Sequence, residues 1–203
     1  MALKSVTVRA VQALAPGESI WDADHKEAVR GFGARRQRDA VAYVIKYRAH
    51  GRQRFYTIGP HGSRWTPEKA RREAKRLLGL VADGEDPADE KAQAALQAAD
   101  TLRRIADEYL KHARKKQKPR SYAETERHLL IDWKPLHSVS VFNIRRRDIA
   151  ARLAEIAETQ GAVAAGRARA ALSAMFNWAI REGLDIAANP VIGTNRPGGA
   201  QGA

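Results

Sequence analysis

Two runs of alternating residues around a single glycine constrain this chain most. In Ala42–Ala49 (AYVIKYRA), Tyr43, Ile45 and Tyr47 fall on one side and Val44, Lys46 and Arg48 on the other. In Arg54–Gly59 (RFYTIG), Tyr56 and Ile58 alternate with Phe55 and Thr57. A period of two in β-branched and aromatic residues marks half-buried strands. The stretch His50-Gly51-Arg52-Gln53 separates the runs, and its glycine suits a turn, so the pair predicts an antiparallel hairpin. Gly31–Gln37 (GFGARRQ) reads as a further strand, giving three.

A helix follows. Thr66 is a good N-cap and Pro67 suits the first helical position. Ala70, Ala74, Leu77, Leu78 and Val81 then form one apolar stripe. That stripe can cover the sheet face carrying Tyr43, Ile45, Tyr47, Tyr56 and Ile58. The other face is left with Arg35, Gln37, Val44, Lys46, Arg48, Phe55 and Thr57. Antiparallel sheets often leave one side solvated. Long cations and amides on such a face also suit base-edge reading in the DNA major groove.

Charge supports the second meaning. The 203-residue chain has a formal net charge of +13. Residues 30–76 concentrate it, with fourteen Lys/Arg against three acids. Such a bias points to a polyanionic partner, most often nucleic acid. Residues 83–90 (DGEDPADE) reverse the sign, contain Gly84 and Pro87, and precede the Ala/Gln-rich KAQAALQAA, which reads as a boundary.

Beyond it the apolar period becomes helical. Asp100–Arg114, Ser121–Trp133, Arg147–Glu158 and Val163–Glu182 read as four helices with short connections, a compact bundle. Gly183 is a natural C-cap for the last. The first connection is very basic, and Arg167 and Arg169 lie near the start of the last helix. Cations there oppose the helix dipole, which phosphate binding would justify. The candidate DNA contacts are therefore Arg35, Gln37, Lys46, Arg48, Arg52, Arg54, Thr57, Arg64, Lys115, Lys118, Arg120, Arg127, Arg167 and Arg169.

Other chemistries find no footing. Without cysteine, disulfide scaffolds, Cys-based zinc fingers and thiol catalysis drop out. No two of the six histidines are paired at i, i+4, and no P-loop or dinucleotide fingerprint occurs. Asp22-x-Asp24-His25 reads as a solvated acidic turn. His61-x-x-Arg64 lies in a glycine-rich loop and suits a phosphate contact at Arg64 better than catalysis. No apolar run approaches the ~20 residues of a membrane span, and the first twenty residues lack a signal-peptide core. No metal, cofactor or catalytic residue is expected.

In this order and spacing the residues resemble a known family. GFGARRQ, AYVIKYRAHGRQRFYTIG, the TPEKAR helix start and Gly84-x-Asp86-Pro87 resemble the N-terminal arm-binding domain of tyrosine recombinases, the integrases of phages and genomic islands. TLRRIADEYL, GRARAALSAMFNWAIREG and Asn189-Pro190 resemble that family's core-binding, SAM-like helical domain. Arg36 stands where the family usually has an apolar strand residue.

The resemblance implies an α+β chain: a small three-stranded antiparallel sheet packed on a helix, followed by an all-α four-helix SAM-like bundle. The expected parts are an arm-type DNA-binding domain (1–88), a linker (89–99), a core-binding domain (100–195) and a tail (196–203) leading to a missing catalytic domain. The family's nucleophilic tyrosine, with its arginines, lysine and His/Trp partners, belongs to that domain, so no strand cleavage is expected of this chain alone. The implied partners are double-stranded DNA at arm-type and core-type attachment sites and other integrase protomers, in a bacterial cytoplasm or nucleoid. The alternatives are a stand-alone regulator derived from a truncated integrase and an RNA- or single-strand-binding protein.

Overall fold

Strand pairing organises the first of two units into which the chain divides, residues 1–93 and 94–203. The structure, a computed structural model, describes residues 2–3, 5–23 and 26–195. The expected tail at 196–203 lies outside the described residues, as do Asp24 and His25.

In the first unit the order is β1 (Ala2–Leu3), α1 (Val8–Gln12), β2 (Ser19–Trp21), β3 (Phe32–Gln37), β4 (Ala40–Ala49), β5 (Arg52–Pro60) and α2 (Pro67–Ala82). The strands form one sheet in chain order, with β1 parallel to β2 and all other pairs antiparallel. Three strands were expected. β1 and β2 extend the sheet to five, and at two and three residues they are too short to show a periodicity. The β4–β5 loop is also tighter than expected: Ala49 pairs with Arg52, leaving His50 and Gly51 alone at the turn. Both have positive φ, 48° and 75°, as a two-residue type I′ hairpin requires.

Residues Ile20, Phe32, Ala34, Tyr43, Ile45 and Tyr47 bury one sheet face against Ala70, Ala74 and Leu77 of α2. Val6, Val11 and Leu14 from the N-terminal segment complete this core. Thr66 caps α2, its hydroxyl accepting from the Lys69 N–H at 3.3 Å.

Helix α3 (Pro87–Ala99) occupies the segment expected to be a linker and spans the division between the units. The second unit continues with α4 (Leu102–Lys116), α5 (Pro119–Arg127) and a π-helical turn (His128–Asp132). A short 3₁₀ turn (Lys134–Leu136), α6 (Arg146–Gln160) and α7 (Ala162–Arg181) complete it. Seven α-helices are present among the described residues where one plus four were expected; α1 and α3 are the additions. The bundle core gathers Leu102, Ile105, Tyr109, Leu110, Leu129, Trp133, Ile149, Leu153, Ile156, Leu172, Met175 and Phe176. Ala165, Ala168 and Ala171 give α7 a small-residue stripe, and the Trp133 indole N–H donates across it to the Ala168 carbonyl at 3.0 Å.

Candidate nucleic-acid interface

Alternation along the strands places the expected residues on the sheet face away from α2. The register sets Trp21, Gly33, Val44 and Thr57 side by side, and Lys46 opposite Phe55. Arg48 pairs with Gln53. Arg35, Gln37, Arg48, Gln53 and Thr57 are exposed on this face, while Lys46 is half-buried. Arg52 is exposed beside the turn, and Arg64 is exposed in the loop before α2. Among the described residues no carboxylate forms an ion pair with Arg35, Arg48, Arg52 or Arg64. A cleft of about 920 Å³ opens beside the hairpin, lined among others by Trp21, Arg30, Lys46, Arg48 and Gln53.

The middle of the face is aromatic. The Trp21 and Phe55 rings lie 6.3 Å apart at 50°, and the Lys46 ammonium sits 5.9 and 6.0 Å from their centroids. Gly33 makes room: a Cβ there would meet the Trp21 ring at 2.8 Å and collide with the Ile20 carbonyl. Trp21 and Gln53 were missed by sequence reasoning. Trp21 lies in the unexpected β2, and Gln53 was placed in the loop.

Arg54, a candidate DNA contact from its place near the hairpin, lies on the opposite side of the sheet. It pairs with Tyr47 across the hairpin and so shares the core-side parity. Its guanidinium forms ion pairs with Asp86, at 3.2 Å, and Asp89. Asp86 also accepts from the Tyr47 hydroxyl at 2.5 Å and from the Ala88 N–H at 3.1 Å. Burial pushes the Asp86 carboxyl up, but these hydrogen bonds and Arg54 outweigh it and hold it below its ordinary range. Burial, then the Asp86 hydrogen bond, push the Tyr47 phenol up to about 12. Gly84-x-Asp86-Pro87 is thus a joint that fastens the start of α3 to the hairpin.

Asp22 is not a solvated turn residue either. Its carboxylate accepts from the Val6 and Val29 N–H groups at 3.1 and 3.0 Å and from Arg71 at 2.8 and 3.0 Å, all buried. Arg36 is also internal in role, donating to the Leu14 carbonyl at 2.8 Å. That explains an arginine where an apolar residue is usual.

In the second unit the expected cations sit in different local settings. Lys115, Lys118 and Arg120 are exposed around the α4–α5 connection. Arg167 is exposed and 4.0 Å from Glu124 of α5. Arg127 reaches toward Gln160 at 3.4 Å and Asp132 at 3.8 Å. Arg169, half-buried, has internal partners: it donates to the Thr194 hydroxyl at 2.8 Å and the Val191 carbonyl at 3.1 Å, holding the turn after α7. Asn189 braces the same turn through Ser173 and Asn177. Arg145, Arg146 and Arg147 at the start of α6 are exposed and were not singled out from sequence.

Among the described residues no cluster of three or more His, Asp or Glu side chains could hold a metal ion. No helix among them is long and apolar enough to cross a membrane.

Residues 4–94 match the Arm DNA-binding domain family. The match falls on the first unit and covers less than half of the chain. No curated protein sequence matches the chain. Among solved structures it is similar to the lambda integrase(75-356) dimer bound to a COC' core site, with 28% identity, 48% of this chain and 36% of that chain covered, and a TM-score of 0.44. It is also similar to a lambda integrase dimer bound to a COC' core site, with 23% identity, coverage of 77% and 43%, and a TM-score of 0.49. A lambda integrase tetramer bound to a Holliday junction gives 22% identity, coverage of 77% and 44%, and a TM-score of 0.49. The chain spans less than half the length of each of these integrases.

Proposed function

We propose that this chain is a duplex-DNA-binding module of a site-specific integrase, serving integration or recombination of a mobile element. The observation that carries this reading is the outward sheet face of the arm domain. Among the described residues it carries Arg35 and Arg48, with Arg52 beside the turn, and none of the three has a carboxylate partner, while Arg54, Arg71 and Arg36 on the other side are all used internally. A two-stranded ribbon fits the major groove, where Arg and Gln meet base edges and flanking cations meet phosphates. In this reading the arm domain takes an arm-type site. The second unit contacts the core-type site through Lys115, Lys118, Arg120 and Arg167, with Arg127 alongside, and other integrase protomers assemble on the same DNA.

Titrating salt against binding tests it. With ~6–10 phosphate contacts, affinity for duplex should fall by ~10³–10⁵ between 50 and 200 mM salt. Competition among duplex DNA, single-stranded DNA and RNA is the second arm. Flat affinity across that salt range, or clear preference for RNA, refutes the proposal.

A further inference from the structure

We infer that Trp21 and Phe55 form a thymine-reading element at the centre of the arm domain's outward face, recognising the C5-methyl group in the major groove. The inference rests on the duplex-DNA reading and adds to it a base preference and the residues that set it.

A face built only to meet phosphates and base hydrogen-bonding edges has no use for an apolar centre. Here β2 and β5, on either side of β3 and β4, lean two rings toward each other to 6.3 Å. Val44, in register between Trp21 and Thr57, is only 7% exposed although α2 packs on the opposite face. Phe55 remains 51% exposed. Around the rings stand Arg35, Gln37, Arg48 and Gln53, all exposed. Charge complementarity therefore selects a polyanion as occupant and leaves the apolar centre to meet whatever apolar group that polyanion offers. On the major-groove floor that group is the thymine methyl, for which Phe is a known type of partner.

Stacking of a splayed base fits less well. The rings are inclined at 50° and form no parallel slot. The Lys46 ammonium already lies over both of them, and Gly33 lets the Trp21 ring lie down on the sheet. Ring edges, rather than faces, are what the patch offers a ligand.

The test uses the full chain. Duplexes selected by it from a random-centred pool are re-synthesised with each thymine replaced in turn by deoxyuridine, which removes only the methyl. Binding is read by fluorescence anisotropy. At one or more positions the replacement should weaken wild-type binding about fourfold, the value of one methyl-sized apolar group. In Phe55→Ala, an exposed position, the same replacement should cost nothing, while the salt dependence stays as in wild type. Trp21→Phe, which keeps a ring over Gly33, should show an intermediate penalty. Uracil tolerated at every position, or a penalty undiminished in both variants, overturns the inference while leaving duplex binding standing. A selection that enriches no duplex overturns the DNA reading and this inference with it.

Discussion

Replacing Asp22 by alanine should loosen the first unit more than any surface change. Asp22 directly follows Trp21, so the pair it forms also anchors the strand end that carries the reading face. Its side chain is wholly buried and that of Arg71 is 7% exposed. Four donors converge on the carboxylate at 2.8–3.1 Å. Without it Arg71 keeps the Val6 carbonyl at 3.2 Å and the Phe32 ring at 5.8 Å, and its buried charge loses its direct partner, leaving only the longer-range pull of Glu68 and Glu27. Breaking one side of a buried pair costs about 3–5 kcal/mol. That corresponds to roughly two to four powers of ten in an opening equilibrium. Hydrogen exchange read peptide by peptide is the assay: α2 and the β2–β3 segment should lose protection by that factor, while peptides of α6 and α7 keep theirs. Asp22→Leu combined with Arg71→Met should recover most of the loss, because an apolar pair leaves no stranded charge. Acid gives a second handle. Burial acts to raise the Asp22 carboxyl, but its hydrogen bonds with Arg71, Val6 and Val29 hold it below 3.8. A depressed folded-state value means that this stability is present above pH 3.8 and is lost as pH falls through the lower folded value. A protection loss under tenfold in Asp22→Ala would refute the reasoning.

Further outcomes concern the two sheet faces and the bundle. Lys46→Ala with Arg48→Ala should lower the slope of log affinity against log salt by up to about 1.8, at about 0.9 per phosphate contact, whereas Arg54→Ala should leave the slope unchanged because Arg54 is already paired. Gly33→Ala must displace the Trp21 ring, and a denaturation midpoint should record a cost of about 1–3 kcal/mol together with weaker duplex binding. Burial pushes the Tyr43 phenol up to about 12 and, with Asp86, the Tyr47 phenol likewise. Raised values mean that the stability they contribute is intact below pH 10 and lost as pH rises through about 12, so ultraviolet titration should find two tyrosines ionising only with unfolding. Arg169→Ala should raise hydrogen exchange around residues 189–194 by an amount worth about 1 kcal/mol, while core-type binding should change less than in Arg167→Ala.

Much of the first unit was legible because β3, β4, β5 and α2 each carry a period long enough to read. Tyr43, Ile45 and Tyr47 cannot all be buried unless Val44, Lys46 and Arg48 face away. The same parity already set Arg54 apart, since it alternates in step with Tyr56 and Ile58. Clustering in sequence grouped it with Arg48, which the pleat turns the other way. β2 was illegible at three residues, and Trp21 with it, although Gly33 carried a trace of the ring that covers it. α3 gave no signal because it has no apolar stripe; Pro87 is its one buried residue. The partners of Arg169 were hidden for another reason: the turn around Thr194 is set by the chain's return after α7 and has no local signature.

Net charge therefore overstates the interface. Arginines outnumber every other cation here, and an arginine can cap a carbonyl, close a buried pair or meet a phosphate with the same guanidinium. What separates these uses is which acids and carbonyls the fold brings within reach. Arg71 meets Asp22 across forty-nine residues of sequence, and Arg54 meets Asp89 across thirty-five. Both acids lie outside the basic stretch of residues 30–76, so counting within that stretch leaves their arginines looking free. Each such pairing moves a cation from the DNA-facing account to the internal one. Among the described strand cations, Arg35, Lys46 and Arg48 have no carboxylate partner and a parity that turns them away from α2, which is why the hairpin register, rather than the charge total, sets the surface proposed to meet DNA.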